Sequence, residues 1–266
     1  MSKYLVGIPT LNGPERLHRC LQSVMIHTPL DEVLVLVSDD GSTAENLARN
    51  KSVVHNFGVE ILMTGDLRLG IAAQWNRLVR HCDEAQTIVL INDDIEVVPN
   101  WFDALVYSVE QNPEVGVVSL RCLTGAIKPT TPEPYIDYVE SRLLDGDGTL
   151  LSAGGACFAF LRSSWKVVGG FDERYFVFYE EVDFSVSLAR AGRFNYFASD
   201  PVVYHLGGAT NSDPRNLPAA SHLALSRQRF AEKWGTTPAE LRQEFAMRQR
   251  PSHLKQWNSQ LKFLRE

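Results

Sequence analysis

The chain has little of what several protein classes require. It carries four cysteines, Cys20, Cys82, Cys122 and Cys157, with no C-x-x-C pair among them. That spacing argues against a zinc site, and their apolar surroundings read as reduced core residues. No window approaches 18 apolar residues, so no membrane span is expected. The N-terminal residues run directly into a strand-like YLVGIP, without the basic-then-apolar pattern of a signal peptide, and the chain reads as cytoplasmic. There is no internal repeat or low-complexity tract, with 18 glycines and 13 prolines close to average usage. Neither phosphate-binding glycine loop, G-x-G-x-x-G or G-x-x-x-x-G-K-S/T, follows the first strand-like run.

What is present is ordinary globular material. With 266 residues, 44% apolar and 22% charged, the composition excludes disorder, a collagen-like repeat and a coiled coil. The formal net charge is -6 and unevenly placed. Residues 216–266 hold nine Lys/Arg against four Glu, a balance of +5, and residues 1–215 therefore hold -11. An acidic body is not the footprint of a protein that coats nucleic acid. The basic tail reads as a solvated helical face, an acceptor contact or an oligomer contact.

The first half alternates between two periods. YLVGI, VLVLV, VEILM, TIVLI and VGVVS (4–8, 33–37, 59–63, 87–91, 115–119) are short, β-branched and apolar on both faces, as in strands buried between two helix layers. Leu17, Cys20, Leu21, Val24 and Met25 follow helical spacing after Asn12 as a cap and Pro14 in the first turn. Phe102, Leu105, Val106 and Val109 repeat the pattern after Asn100. Such alternation predicts an α/β fold of βαβ units. In the second half, residues 125–152 read as a long irregular connection. After it come strand-like ACFAFL, a helix over 180–192 and strand-like FNYFA and PVVYH. The chain then reads as helical from about 219, interrupted at Gly235–Pro238. Trp75, Trp101 and Trp165 sit at apolar helical spacing and read as core rather than as sugar-stacking platforms.

Open parallel sheets bind ligands beyond the carboxyl ends of their strands. Three successive ends here are polar: Pro9-Thr10-Leu11-Asn12, Ser38-Asp39-Asp40-Gly41-Ser42 and Asn92-Asp93-Asp94. Each alone reads equally as a turn or a helix cap; together they read as a site. Carboxylates at a strand end suit Mg²⁺ or Mn²⁺ shared with phosphate oxygens.

These blocks resemble, in order, the inverting glycosyltransferases of family 2, in their rhamnosyltransferase and galactofuranosyltransferase-like branch. Gly7–Asn12 resembles the opening strand and nucleotide loop, and Asp39-Asp40-Gly41-Ser42-Thr43 the D-[DN]-G-S-T segment. Leu69–Asn76 is similar to the N-x-G-x-x-x-x-x-N helix start with Arg68 for the first Asn, and Asn92–Asp94 to the D-x-D element with Asn for the first acid. Gly154–Cys157 with Arg162, Gly169–Glu173, Phe178–Phe184, His205–Gly208 and Phe230–Gly235 resemble the later blocks. The resemblance implies a GT-A type, Rossmann-like, mostly parallel sheet flanked by helices, with a helical C-terminal extension. Residues 1–215 would form the catalytic domain (1–120 for the nucleotide sugar, 121–215 for acceptor and catalysis), and 216–266 the basic extension.

The resemblance also implies roles. Glu181 would be the general base, with Glu180 and Asp183 assisting. Pro9, Thr10, Asn12, Asp39, Gly70, Asn76 and Asp93 would hold the nucleotide sugar, Asp39 through the nucleobase. Asp94 and His205 would hold Mn²⁺ or Mg²⁺. The activity would be metal-dependent transfer of a hexose-type sugar from a nucleoside diphosphate sugar to a hydroxyl acceptor on a glycan, lipid-linked sugar, protein or modified nucleic-acid base. Acids at 180, 181 and 183 equally suit a helix N-terminus, and His205 equally suits a strand end. Two rival functions are a nucleotidyltransferase, whose Arg/Lys-containing phosphate loop PTLNGPERL lacks, and a non-catalytic sugar-nucleotide-binding protein.

Overall fold

Strands apolar on both faces need helices on both faces, and here they have them. The computed structural model describes residues 2–112, 114–124, 149–150, 154–207 and 219–241. The strands are β1 (Tyr4–Thr10), β2 (Val33–Asp39), β3 (Glu60–Met63), β4 (Thr87–Ile91), β5 (Ile95–Glu96), β6 (Val115–Thr124), β7 (Thr149–Leu150), β8 (Cys157–Leu161) and β9 (Phe194–His205). The helices are α1 (Pro14–His27), α2 (Ala44–Asn56), α3 (Ile71–His81), α4 (Trp101–Glu110), α5 (Arg162–Val168), α6 (Glu180–Arg190) and α7 (Ala219–Trp234). One sheet runs β3-β2-β1-β4-β8-β6-β9-β5, with β7 paired to β9. Its β1–β4 half is parallel, as is the long β6–β9 ladder. β8 lies antiparallel between β4 and β6, and β5 pairs antiparallel with the end of β9.

Alternation along the strands divides the core in two. Val6, Ile8, Val35 and Val37 face α1, α2 and α4, meeting Leu17, Leu21, Val54 and Leu105. Leu5, Leu36, Phe158 and Phe160 face the other way and pack with Trp75 and Leu78 of α3 and Phe184 and Leu188 of α6. A small third cluster, Tyr175, Val186, Phe230 and Leu241, seats α7 on α6. No helix among the described residues is long and apolar enough to cross a membrane.

Several local readings change. Asn12 does not cap α1: Gly13 occupies the N-cap without a side-chain bond, and the Asn12 side chain turns to the next loop. Asn100 is an N-cap, yet its side chain makes no cap bond, because its φ is +64°. FNYFA and PVVYH form one strand, slipping in register against β6 between Leu120 and Arg121. α2 has no clear apolar stripe, since only Asn50 and Val54 are buried; Thr43 starts it by accepting the Asn46 N–H. Residues 125–152 lie outside the described residues except for β7, as do residues 242–266 of the C-terminal extension.

Candidate active site

The loops after β1 and β2 are tied to each other. Asn12, at φ +49°, donates its N–H to Ser42 Oγ (2.8 Å). Its Oδ1 accepts from the Thr43 N–H (2.8 Å) and from Asn46 Nδ2 (3.2 Å). Asp39 is 1% exposed and is used within its own loop, accepting from the Ser42 N–H (2.9 Å), Ser42 Oγ (2.6 Å) and Asn50 Nδ2 (2.9 Å). The carboxylate that faces the cleft from this loop is Asp40. It accepts from the Leu69 N–H (2.7 Å) and from Gln74 Nε2 (2.8 Å), and Arg68 Nε lies 3.2 Å away. Asp40 thus organises the turn into α3. Gly70 in that turn has φ +84°, and a Cβ there would meet the Phe176 carbonyl oxygen at 2.5 Å. Only glycine allows this approach, in which the Ile71 N–H donates to the same carbonyl (2.9 Å).

At the end of β4, Asp93 accepts from Thr10 Oγ1 (2.7 Å), with Arg16 Nη2 at 3.4 Å. Burial lifts its carboxyl to about 6, against the opposing pull of Arg16 and Thr10. Asp94 turns the other way. Its Oδ1 lies 3.3 Å from His205 Nε2, and its Oδ2 accepts the Gly207 N–H (3.1 Å). The pairing of β5 with the last residues of β9 brings the two side chains together. Burial pushes Asp94 up, but the His205 bond, the His205 and Arg16 charges and the Gly207 N–H hold it below its ordinary value. Asn92 Oδ1 is buried with no partner among the described residues.

Across the cleft stands the first turn of α6. Phe178 and Tyr179 precede it at φ +68° and +74°, a pair of strained residues of the kind that clusters at functional sites. Glu180 and Glu181 follow, and Oε2 of each is buried with no partner among the described residues. Burial raises both carboxyls above the usual range, and the Glu181 charge raises Glu180 further. Gly155 makes room for them, because a Cβ there would come within 3.0 Å of Glu181 Cγ. Asp183 points away from the cleft. Its Oδ2 accepts from Lys233 Nζ (2.7 Å) and its Oδ1 from Trp234 Nε1 (2.8 Å). Asn76 is also saturated: it accepts from the Phe171 N–H (2.9 Å) and Trp165 Nε1 (3.0 Å), and donates to the Phe171 carbonyl (2.8 Å) and Glu173 Oε1 (2.9 Å).

The cleft holds about 320 Å³, within the range of small-ligand sites. It gathers Pro9, Thr10, Gly70, Asp93, Asp94, Glu180, Glu181 and His205. Asn12, Asp39, Asn76 and Asp183 instead brace its walls. Sequence reasoning passed over Asp40, Arg68, Gln74 and Trp75, which line it. The spacing of polar strand ends could have picked out Asp40; nothing in the sequence marks Trp75 off from the other core tryptophans. Among the described residues no three His, Cys, Asp or Glu side chains could together hold a metal ion. Asp94 and His205 offer a carboxylate and an imidazole, a donor set that suits a divalent cation completed by phosphate oxygens.

Open α/β sheets hold ligands beyond the carboxyl ends of their parallel strands, and here an acidic strand end and a histidine share such a cleft with Glu180 and Glu181. The chain belongs to glycosyl transferase family 2, whose model matches residues 5–169; it is a glycosyltransferase of the GT-A fold. The matched span ends before Glu180, Glu181 and His205. The N-acetylglucosaminyl-diphospho-decaprenol L-rhamnosyltransferase of Mycobacterium tuberculosis is 27% identical over 253 residues, covering 82% of this chain and 80% of that one. The crystal structure of GalNAc-T7 with UDP, GalNAc and Mn²⁺ is similar at TM-score 0.65 and 18% identity, over 88% of this chain and 48% of its own. The mannosyltransferase PcManGT from Pyrobaculum calidifontis, in complex with GDP-Man and Mn²⁺, is similar at TM-score 0.60 and 17% identity, over 97% and 83%.

Proposed function

We propose that this chain is an inverting, metal-dependent glycosyltransferase that moves a sugar from a nucleoside diphosphate to a hydroxyl acceptor. The observation that carries this reading is the pair of glutamates whose Oε2 atoms are buried with no partner among the described residues, in the same cleft as Asp94 and His205. Glu181 Oε2 takes the proton of the acceptor hydroxyl, which attacks the anomeric carbon from the face opposite the diphosphate. The new C–O bond forms as the anomeric C–O bond to phosphate breaks. The electron pair leaves with the diphosphate and the proton stays on Glu181. General-base help of this kind contributes roughly 10²–10⁴-fold. Pro9, Thr10, Asp40 and the turn at Gly70 hold the nucleoside end, while Asp39, Asn12, Asn76 and Asp183 support them from behind. Arg16 and Thr10 anchor Asp93 beside the diphosphate.

Asp94 and His205 would hold Mn²⁺ or Mg²⁺, which when bound neutralises charge on the departing diphosphate. The Mn²⁺ in the two related structures supports this assignment. The rhamnosyltransferase relative supports a deoxyhexose donor and a lipid-linked sugar acceptor. Four free cysteines support a reducing, cytoplasmic compartment.

A thermal-shift panel of UDP-GlcNAc, GDP-mannose and dTDP-rhamnose, with and without Mn²⁺, tests this function. A ligand at 100 times its dissociation constant stabilises the native state by about 2.7 kcal/mol. One of these donors should raise the melting point with Mn²⁺, and Asp94→Ala should remove the metal-dependent part. If none does so in the presence of metal, the metal-dependent use of these donors is wrong for this chain. A nucleotidyltransferase would respond to nucleoside triphosphates instead.

A further inference from the structure

Four tryptophans lie among the described residues, and three have an acceptor for the indole N–H. Trp101 Nε1 donates to Thr28 Oγ1 (3.2 Å), Trp165 Nε1 to Asn76 Oδ1 (3.0 Å) and Trp234 Nε1 to Asp183 Oδ1 (2.8 Å). Trp75 is the exception. It is 1% exposed, its ring is wedged between Phe158 (centroids 5.1 Å apart) and Phe171 (5.0 Å), and its Nε1 is buried with no partner. A buried donor left without an acceptor is destabilising, and a phenylalanine would fill most of the same space without that cost.

Trp75 differs from ordinary core tryptophans in a second way: it lines the cleft. Asn92 Oδ1, Glu180 Oε2 and Glu181 Oε2 in the cleft wall are likewise buried with no partner among the described residues. Glu181 is assigned to the acceptor proton, which leaves Glu180 without a task. Burial and the neighbouring Glu181 charge raise the Glu180 carboxyl well above its ordinary range, which favours the protonated form, a group that both donates and accepts. A hydroxyl on a sugar ring is the complementary group, because it can accept from an indole N–H while exchanging a hydrogen bond with a carboxyl. Ile71, Ala156 and Phe178 supply apolar wall for the carbon face of such a ring.

We propose that Trp75 Nε1 and Glu180 together read one ring hydroxyl of the donor sugar, making Trp75 a specificity-determining residue of the transfer reaction. This proposal rests on the glycosyltransferase reading. The pair reads the sugar and leaves the nucleotide to the Asp40 side of the cleft. A site built to bond a hydroxyl discriminates strongly against an analogue lacking it, since its buried groups are then left unpaired.

The test compares two ligands on two proteins. The ligands are whichever of UDP-GlcNAc, GDP-mannose and dTDP-rhamnose binds the wild-type chain most tightly with Mn²⁺, and its parent nucleoside diphosphate. Trp75→Phe keeps the aromatic body and removes the donor. It should weaken the sugar nucleotide about tenfold and leave the nucleoside diphosphate within twofold. Equal affinity of both proteins for the sugar nucleotide, with nucleoside diphosphate binding intact, overturns the proposal. Failure of the wild type to bind either ligand overturns the proposed donor and metal use on which this proposal rests. Because Trp75 is a core residue, a series of single-deoxy donors on the wild-type protein gives an independent arm. One deoxy position should cost about tenfold in affinity, and Trp75→Phe should abolish that difference. A flat deoxy series contradicts the proposal whether or not the variant folds.

Discussion

Glu180 and Glu181 are adjacent carboxyls in a dry wall, and both protonation and stability follow from that. Their pKa values are raised by burial and, for Glu180, by its neighbour, so the pair titrates as a unit. A base must be ionised to act. The acidic limb of kcat/KM is therefore expected to fall at a pH above the ordinary glutamate value of about 4.3; a limb at that ordinary value would show that the base lies elsewhere. The same shift bears on folding. A raised carboxyl binds its proton more tightly in the folded than in the unfolded chain. Its contribution is complete below the unfolded pKa and is lost as pH rises through the folded one. Glu180→Gln mimics the protonated acid, so it should raise the melting temperature, and by more at pH 8 than at pH 5. A gain independent of pH would mean that Glu180 is not held protonated by the fold. Residues also mark the limit of legibility. Asp39 and Asp40 are neighbours near a strand end, where successive side chains point to opposite faces. The D-D-G-S-T block located the loop, but which acid faces the ligand depends on the tertiary partners Asn50 and Gln74. Trp75 shows the same limit, since an absent acceptor is a fact about neighbours that spacing cannot report.

Two elements are held by polar side chains that lie in the blocks carrying the family resemblance. Arg162, the first residue of α5, is 4% exposed and reaches the end of α3. It donates to the carbonyls of Val79 (3.0 Å), Ala85 (2.5 Å) and Cys82. It satisfies carbonyls that a helix end otherwise leaves orphaned, with a positive charge where the helix dipole favours one. Arg162→Met should cost about 3 kcal/mol or more in urea unfolding, since buried carbonyls without donors cost about 1–3 kcal/mol each. A loss under 1 kcal/mol would mean that water replaces the guanidinium. α7 is fastened in the same manner, by Lys233 and Trp234 on the buried Asp183. Lys233→Ala removes the countercharge of that carboxylate and leaves it only the Trp234 N–H and the Tyr175 hydroxyl as donors. The expected cost is about 2 kcal/mol, below the roughly 3–5 kcal/mol of a fully buried pair because Lys233 is partly exposed. Elements whose apolar stripe faces the sheet, such as α1 and α4, were legible in the sequence. α2 was not, because its burial is confined to two positions, and α5 was not, because it is only seven residues long and its buried residues are Arg162 and Ser164.

At the scale of the molecule, short β-branched apolar runs alternating with helical periods spoke for an α/β chain, and the sheet has helices on both faces. The acidic excess of residues 1–215 gains meaning from the fold. Asp40, Asp93, Asp94, Glu180 and Glu181 converge on one cleft from β1–β4 on one side and α6 on the other. Part of the basic extension closes over the back of α6, where Lys233 meets Asp183 and Asp172. The central claim is that the cleft activates an acceptor through Glu181. The most direct test is the rate of sugar transfer by Glu181→Gln at saturating donor, with water as the acceptor until another is found. The rate should fall by about 10²–10⁴-fold while donor affinity stays within twofold. An unchanged rate in Glu181→Gln, or the full loss in Glu180→Gln alone, would contradict it.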